Sequence, residues 1–302
     1  MNRNIVVIGS SGMLGADLVE ALEEAGLKAV ALARPALDIT RPESVGSALD
    51  RVGSPGLVIN CAAYTAVDKA ETEPEAAFAA NRDGPAHVAV ACRKLGVPLL
   101  HISTDYVFDG ASRRPYIEQD PVNPINVYGL SKLQGEEAVR SGLSEHIIVR
   151  TSWLYGQGGR NFVKTILGLA REREELRVVC DQHGCPTWSM DLARCLVRIS
   201  QAVLSAPESV PWGTYHFCGK GTTTWYEFAA AILAEAQRTR HEKFARLTPV
   251  STSDFPTPAA RPVYSVLDCA KIAEAFEISP PEWRKSLAGM VEKLRGGDLV
   301  TG

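Results

Sequence analysis

Tyr128 and Lys132 stand four residues apart, so on a helix they project from one face. An ammonium beside a phenol stabilises the phenolate and lowers the tyrosine pKa. That makes the phenol a competent proton donor to a carbonyl near neutral pH, and the lysine can also hold a nicotinamide ribose. Any exposed helix can carry this spacing, so two other features give it weight. Ser103-Thr104 ends an apolar run that reads as a strand, and a threonine hydroxyl there can bond the same substrate oxygen as charge develops on it. Near the N-terminus stands Gly9-Ser10-Ser11-Gly12-Met13-Leu14-Gly15. In this order the three features point to hydride chemistry on a carbonyl or alcohol beside a bound dinucleotide.

In the glycine loop the first glycine allows a tight turn, the second lets a pyrophosphate approach the backbone, and the third lets helix and strand pack closely. N–H groups at the helix start then face the phosphates. The required context is present, with a strand before the loop and a helix after it. Gly9, Ser11, Gly12, Met13, Leu14 and Gly15 are therefore candidate cofactor contacts. The second strand ends Ala31-Leu32-Ala33-Arg34, without the acid that binds a ribose 2′-hydroxyl. Arg34 suits a 2′-phosphate, which favours NADPH and leaves NADH open; the alternative is a plain surface charge. Asp38-Ile39 suits the adenine edge and face. Cys61-Ala62-Ala63-Tyr64-Thr65 follows the third strand, and its small residues leave room for a cofactor, or for close helix packing.

The elements that must position these groups alternate. Strands are expected at Asn4–Ile8, Lys28–Ala33, Gly56–Asn60, Pro98–Ser103 and Ile147–Thr151. Between them lie a helix ending near Gly26, a long one from Glu75 to Leu95, and the helix of Tyr128 and Lys132. Continuous apolar strands separated by helices mean an α/β fold, with a parallel sheet covered on both faces. Beyond Thr151 prolines break the pattern, and helices are expected at Phe162–Arg173, Asp191–Leu204, Trp225–Gln237 and Pro281–Leu294. The expected division is residues 1–150 for the dinucleotide domain, 151–295 for a smaller substrate-binding lobe with the chain free to cross between them, and 296–302 for a mobile tail.

With 302 residues, 45% apolar and 22% charged, the chain has the composition of an ordinary globular protein. A net charge of −3 and the lack of a basic stripe argue against a nucleic-acid partner. Arg238, Arg240, Lys243 and Arg246 read as a solvated helix end and loop. No apolar run reaches membrane-spanning length, and no signal peptide is visible. The seven cysteines include no CxxC pair and complete no zinc pattern, so reduced thiols in a cytoplasmic protein are expected.

Several longer strings go further. NCAAYTAVDKAE (60–71), STDYVFDG (103–110), NPINVYGLSKLQGE (123–136), RTSWLY (150–155), Asn161-Phe162, DQHGCPT (181–187) and PTPAARP (256–262) span nearly the whole chain. On these the chain resembles the extended short-chain dehydrogenase/reductases, and more narrowly the dTDP-4-dehydrorhamnose reductases. The resemblance implies a Rossmann-type doubly wound sheet with a smaller C-terminal α/β lobe, and NAD(P)H-dependent reduction of the C4 ketone of dTDP-4-dehydrorhamnose. It implies Tyr128 as general acid, Lys132 as its modulator and Thr104 as third catalytic member. Asp105 and Trp153 would contact the sugar, with Asn161 also on the substrate side. Gly12, Met13, Asp38, Ile39, Ala63, Tyr64 and Thr65 would contact the cofactor. Arg261 would lie near the diphosphate, where a guanidinium suits phosphate geometry. Phe162 and Trp188 would lie near the thymine or in the core.

Other readings share the fold. A nucleotide-sugar dehydratase is disfavoured, because Thr104-Asp105 is followed by Tyr106 rather than glutamate. A reductase making a different 6-deoxyhexose stays open, since substrate pose sets the stereochemistry. So does a non-catalytic binding subunit, because the regulatory β subunit of methionine adenosyltransferase resembles this family. Some family members associate through a magnesium site of acidic side chains. Here Ala16 follows the third glycine, and Trp188-Ser189-Met190 holds no acid, which argues against Mg2+ dependence. Monomer and homodimer both stay open.

Overall fold

The computed structural model describes residues 4–238 and 243–296. Its centre grows from strands too apolar to face water. β1 (Ile5–Ile8) is Ile-Val-Val-Ile, and all four side chains are buried. A strand alternates its side chains between faces, so β1 needs cover on both. β2 (Ala29–Leu32), β3 (Leu57–Asn60), β4 (Leu99–Thr104) and β5 (His146–Thr151) join it, with a sixth strand at Gly213–His216. The order across the sheet is 213–216, β5, β4, β3, β1, β2, and every pairing is parallel. This is the doubly wound α/β fold expected.

The two faces divide the strand residues in alternation. Ile5 and Val7 of β1, with Ile59, Ile147 and Val149, pack under α1 (Met13–Glu24) and the Ser189–Ser205 helix. Val6 and Ile8, with Val58 and Ile148, pack under Val45, Leu49, Val88 and Val139 from helices on the other side. Each such aliphatic side chain contributes roughly 1.5–3 kcal/mol when fully buried. The order reverses at β1, which has β2 on one side and β3 on the other. Ligands of open α/β sheets bind at such a reversal, beyond the C-terminal strand ends.

The expected strands form within a residue or so of their bounds, and Trp225–Gln237 is helical as expected. The long helix of 75–95 is instead interrupted: Pro74–Phe78 and Gly84–Leu95 are α-helical, and Ala79–Asp83 forms a π turn between them. Gly84-Pro85 explains the break, because proline removes an N–H donor and crowds the preceding turn. Helices at Pro42–Val52 and Ala270–Phe276 were not expected, nor was the sixth strand. Gly-Thr-Tyr-His has no aliphatic run to announce a strand; it is recruited by pairing with β5. Glu175–Val179 and Arg246–Val250 form a separate parallel pair. Of the basic cluster, Arg238, Lys243 and Arg246 are exposed, while Arg240 and the tail from residue 297 lie outside the described residues. No helix among the described residues is long and apolar enough to cross a membrane.

The β1–α1 turn is the tightest point. A Cβ on Gly15 would stand 2.2 Å from the Gly9 carbonyl oxygen and 2.8 Å from Ser10 Cα. Gly9 itself has φ +80°, and a Cβ there would stand 2.6 Å from the Ala62 amide nitrogen. Gly15→Ala should therefore destabilise the fold by about 1–3 kcal/mol through overpacking, read as a lower melting temperature. An unchanged melting temperature would show that the turn relaxes freely.

Candidate active site

A cleft of about 1080 Å3 opens beyond the C-terminal ends of β1, β3, β4 and β5. Gly9 through Gly15 form one wall, apart from Ser10, and Arg34, Asp38 and Ile39 continue it. No side chain caps Gly12 at the start of α1, and the first turn holds no acid. The helix therefore turns its N–H groups and the positive end of its dipole towards any anion placed there. Asp38 accepts from the Thr40 amide and hydroxyl at 3.0 and 2.8 Å, which holds its carboxyl below the usual range. Cys61, Ala62, Ala63, Tyr64 and Thr65 line the floor. Every residue expected to contact a dinucleotide thus borders this one cleft.

The catalytic candidates meet at its inner end. Asn126 caps the Val127–Gly142 helix by accepting from the Gly129 amide at 2.7 Å, and Glu71 accepts from the Val127 amide at 2.9 Å. Gly129 lets this helix close on the chain after β4: a Cβ there would stand 2.2 Å from the Tyr106 carbonyl oxygen. The Tyr106 ring meets Tyr128 edge-on, with centroids 5.5 Å apart. Lys132 is 2% exposed and donates from Nζ to the Ile102 carbonyl of β4 at 2.7 Å. Thr104 Oγ1 donates to Asp105 Oδ1 at 3.0 Å and accepts from the Tyr106 amide at 3.2 Å.

The electrostatics differ from the sequence expectation. Burial pushes the Tyr128 phenol up to about 12, with the hydrogen bond shared with Thr104 drawing it back only in part. Burial lowers Lys132 to about 8, against the pull of Glu136. The expected depression of Tyr128 by Lys132 is not found; desolvation decides the state of the phenol. The result is a phenol that holds its proton at neutral pH beside a lysine still mostly charged. Asp105, 1% exposed, is raised to about 6 by burial, which Ser265 and Thr104 offset in part.

The far wall is aromatic. Trp153 stacks on Trp225 with centroids 3.5 Å apart and planes 6° off parallel. Its φ of +45° is left-handed, a conformation that costs an L-residue roughly 1–2 kcal/mol. Gly184 makes room behind it, since a Cβ there would stand 2.4 Å from the indole. Both tryptophans line the cleft. Three expected substrate contacts do not. Asn161 caps the Phe162–Glu172 helix and donates to the Gly156 carbonyl at 2.7 Å. Phe162 packs on Trp225 and Phe228. Arg261 makes a two-pronged pair with Asp68, at 2.8 and 2.7 Å, behind Tyr106. Trp188 is 7% exposed and belongs to the core.

Known proteins match this arrangement along its length. The family model described as "RmlD substrate binding domain" matches residues 3–295. The chain belongs to the RmlD family. A dTDP-4-dehydrorhamnose reductase of Sinorhizobium fredii is 41% identical over 96% of this chain and 97% of that one. One from Streptomyces griseus is 44% identical over 96% and 94%. The crystal structure of a Bacillus anthracis dTDP-4-dehydrorhamnose reductase in complex with NADP superposes with TM-score 0.89 at 38% identity, covering 97% and 100%.

Some supports of this RmlD-family site were not read from the sequence. Asn81 sits in the π turn, fully buried; it accepts from the Tyr64 amide at 2.8 Å and donates to the Tyr64 carbonyl and Ser131 Oγ at 2.9 and 3.0 Å. It thereby ties the cleft floor to the Tyr128 helix. The signal was the Gly-Pro break at 84–85, since π turns cluster at functional sites. Trp225 opens a helix that was foreseen, but nothing in the sequence pairs it with Trp153. Among the described residues, no group of three or more His, Cys, Asp or Glu is placed to hold a metal ion.

Asp105 links the site to stability. Its native pKa of about 6 lies above the ordinary carboxylate value of 3.8, so the folded state binds the extra proton between them. Stability from this group falls as pH rises from about 4 to 6 and stays reduced above. Asp105→Asn should stabilise the protein by up to about 3 kcal/mol at pH 7, and by almost nothing near pH 3. Equal melting temperatures of variant and parent at pH 7 would contradict this.

Proposed function

We propose that this chain reduces the C4 ketone of dTDP-4-dehydro-β-L-rhamnose to give dTDP-β-L-rhamnose, with NADPH as reductant, in dTDP-rhamnose biosynthesis. The observation that carries the reading is that Tyr128, Thr104 and Lys132 line the same cleft as the glycine turn. Relatives about 40% identical over nearly the whole chain are named as this reductase. NADPH, when bound, supplies the hydride. The residues present suit it: a glycine turn packed too tightly for side chains at Gly9 and Gly15, an uncapped helix start, and Arg34 in place of an acid at the end of β2. The relative solved with NADP supports the same cofactor.

The side chains then have distinct tasks. Tyr128 gives its phenolic proton to O4 as the alkoxide forms, and Thr104 bonds the same oxygen. Lys132 keeps a positive charge beside the phenol and holds the ribose. Asp105 and Trp153 orient the deoxysugar, and Thr151 Oγ1, buried without a partner among the described residues, suits a polar ligand. Arg261 acts on the diphosphate only by exchanging its bond to Asp68. Residues 1–150 chiefly hold the dinucleotide, and 151–295 the nucleotide sugar. Seven free thiols fit action in the reducing cytoplasm.

The direct test mixes purified protein, NADPH and the keto sugar, then identifies the product by NMR. NADPH consumption with dTDP-β-L-rhamnose formed is expected; tight NADPH binding without turnover would sink the proposal. Tyr128→Phe should cut kcat by roughly 10²–10⁴-fold and leave NADPH affinity nearly intact. The alkaline limb of kcat should have its midpoint near pH 8, where Lys132 loses its proton. A rate flat to pH 10 would remove Lys132 from the proton-transfer step.

A further inference from the structure

A second cavity, of about 440 Å3, is lined by three cysteines far apart in the chain, Cys185, Cys218 and Cys269. Cys218 comes just after the sixth sheet strand, and Cys269 is the N-cap of the Ala270–Phe276 helix. Their sulfurs are 3.6 Å apart. Cys218 is 2% exposed and donates to the Leu267 carbonyl at 3.6 Å, whereas Cys269 is half-buried at the cavity wall. None of the three has a part in the reaction above.

We propose that Cys218 and Cys269 form an oxidation-sensitive pair that closes to a disulfide under hydrogen peroxide. The Cys269 thiolate attacks one peroxide oxygen; the O–O bond breaks, and hydroxide leaves to become water. Cys269 is then a sulfenic acid. The Cys218 sulfur attacks it, the S–O bond breaks, and the departing hydroxide leaves as water with the Cys218 proton. Two thiols lose two electrons in all, and one peroxide becomes two waters. Order follows from access, since the reactive form is an exposed thiolate. Cys218 is held well above its ordinary pKa by hydrogen bonds to Cys185 and Cys269 and by burial, so it stays a thiol while Cys269 meets the peroxide. Closure needs the sulfurs to approach by about 1.5 Å, to the disulfide length of about 2.05 Å. Transient redox-sensing pairs are the usual disulfides of reducing compartments.

The test treats the full-length protein with hydrogen peroxide, alkylates it with iodoacetamide after denaturation, and maps it by mass spectrometry. Expected are two fewer alkylated cysteines than the seven in the chain, a peptide linking 218 to 269, and complete reversal by dithiothreitol. Cys269→Ser should abolish the link and leave melting temperature and NADPH binding as in the parent, while Cys185→Ala should leave the link intact. Seven alkylated cysteines after peroxide, a link from Cys269 to buried Cys195 or from Cys218 to Cys185, or a link persisting in Cys269→Ser would each overturn the proposal.

Discussion

The site depends on how closely the Tyr128 helix lies against β4. Two contacts fix that distance: Gly129 over the Tyr106 carbonyl, where no side chain fits, and the Lys132 ammonium on the Ile102 carbonyl. The first sets the helix height and the second its rotation. Together they bring a phenol and an ammonium from the helix to a hydroxyl from the strand end. A helix a fraction of an ångström further out would leave Thr104 unable to share Tyr128's hydrogen bond.

That approach has an electrostatic consequence. Lys132 is a buried cation with no ion pair among the described residues, and one turn further along the helix lies Glu136, fully buried. Glu136 is taken up by Arg150, at 2.8 and 2.7 Å, and by Arg140. Arg150 and Glu136 also act on His216, whose pKa is lowered to about 3, first by burial. Buried ion pairs of this kind add little net stability, and removing one partner is costly. Their use here is to seat the helix in one register on β4 and β5. Burial then keeps Tyr128 protonated, so the donor role proposed for it needs no proton taken up from solvent first.

How much of this was legible follows from the range of the forces. The glycine turn, the apolar strands and the Tyr-Lys spacing are local patterns, and all of them are found in the expected elements. Arg261 shows the limit. A guanidinium in a loop suggests a phosphate, but its carboxylate partner Asp68 lies 193 residues away. Asn161 was placed on the substrate side by resemblance and Phe162 near the thymine or in the core; the fold shows the first as a helix cap and the second packed on Trp225, partners the sequence does not reveal. The left-handed Trp153 was hidden for the same reason: Gly184 and Trp225, which impose it, are distant in the chain. The thiol cluster joins three segments that only the folded sheet brings together. The break at Gly84-Pro85 was local, and its consequence at Asn81 could have been drawn from it.

A crystal structure of the protein with NADP and dTDP-β-L-rhamnose tests the central claim most directly. The account predicts the sugar O4 within about 3 Å of both the Tyr128 phenol and Thr104 Oγ1, with Lys132 still on the Ile102 carbonyl. A sugar bound with O4 turned away from both hydroxyls would contradict it.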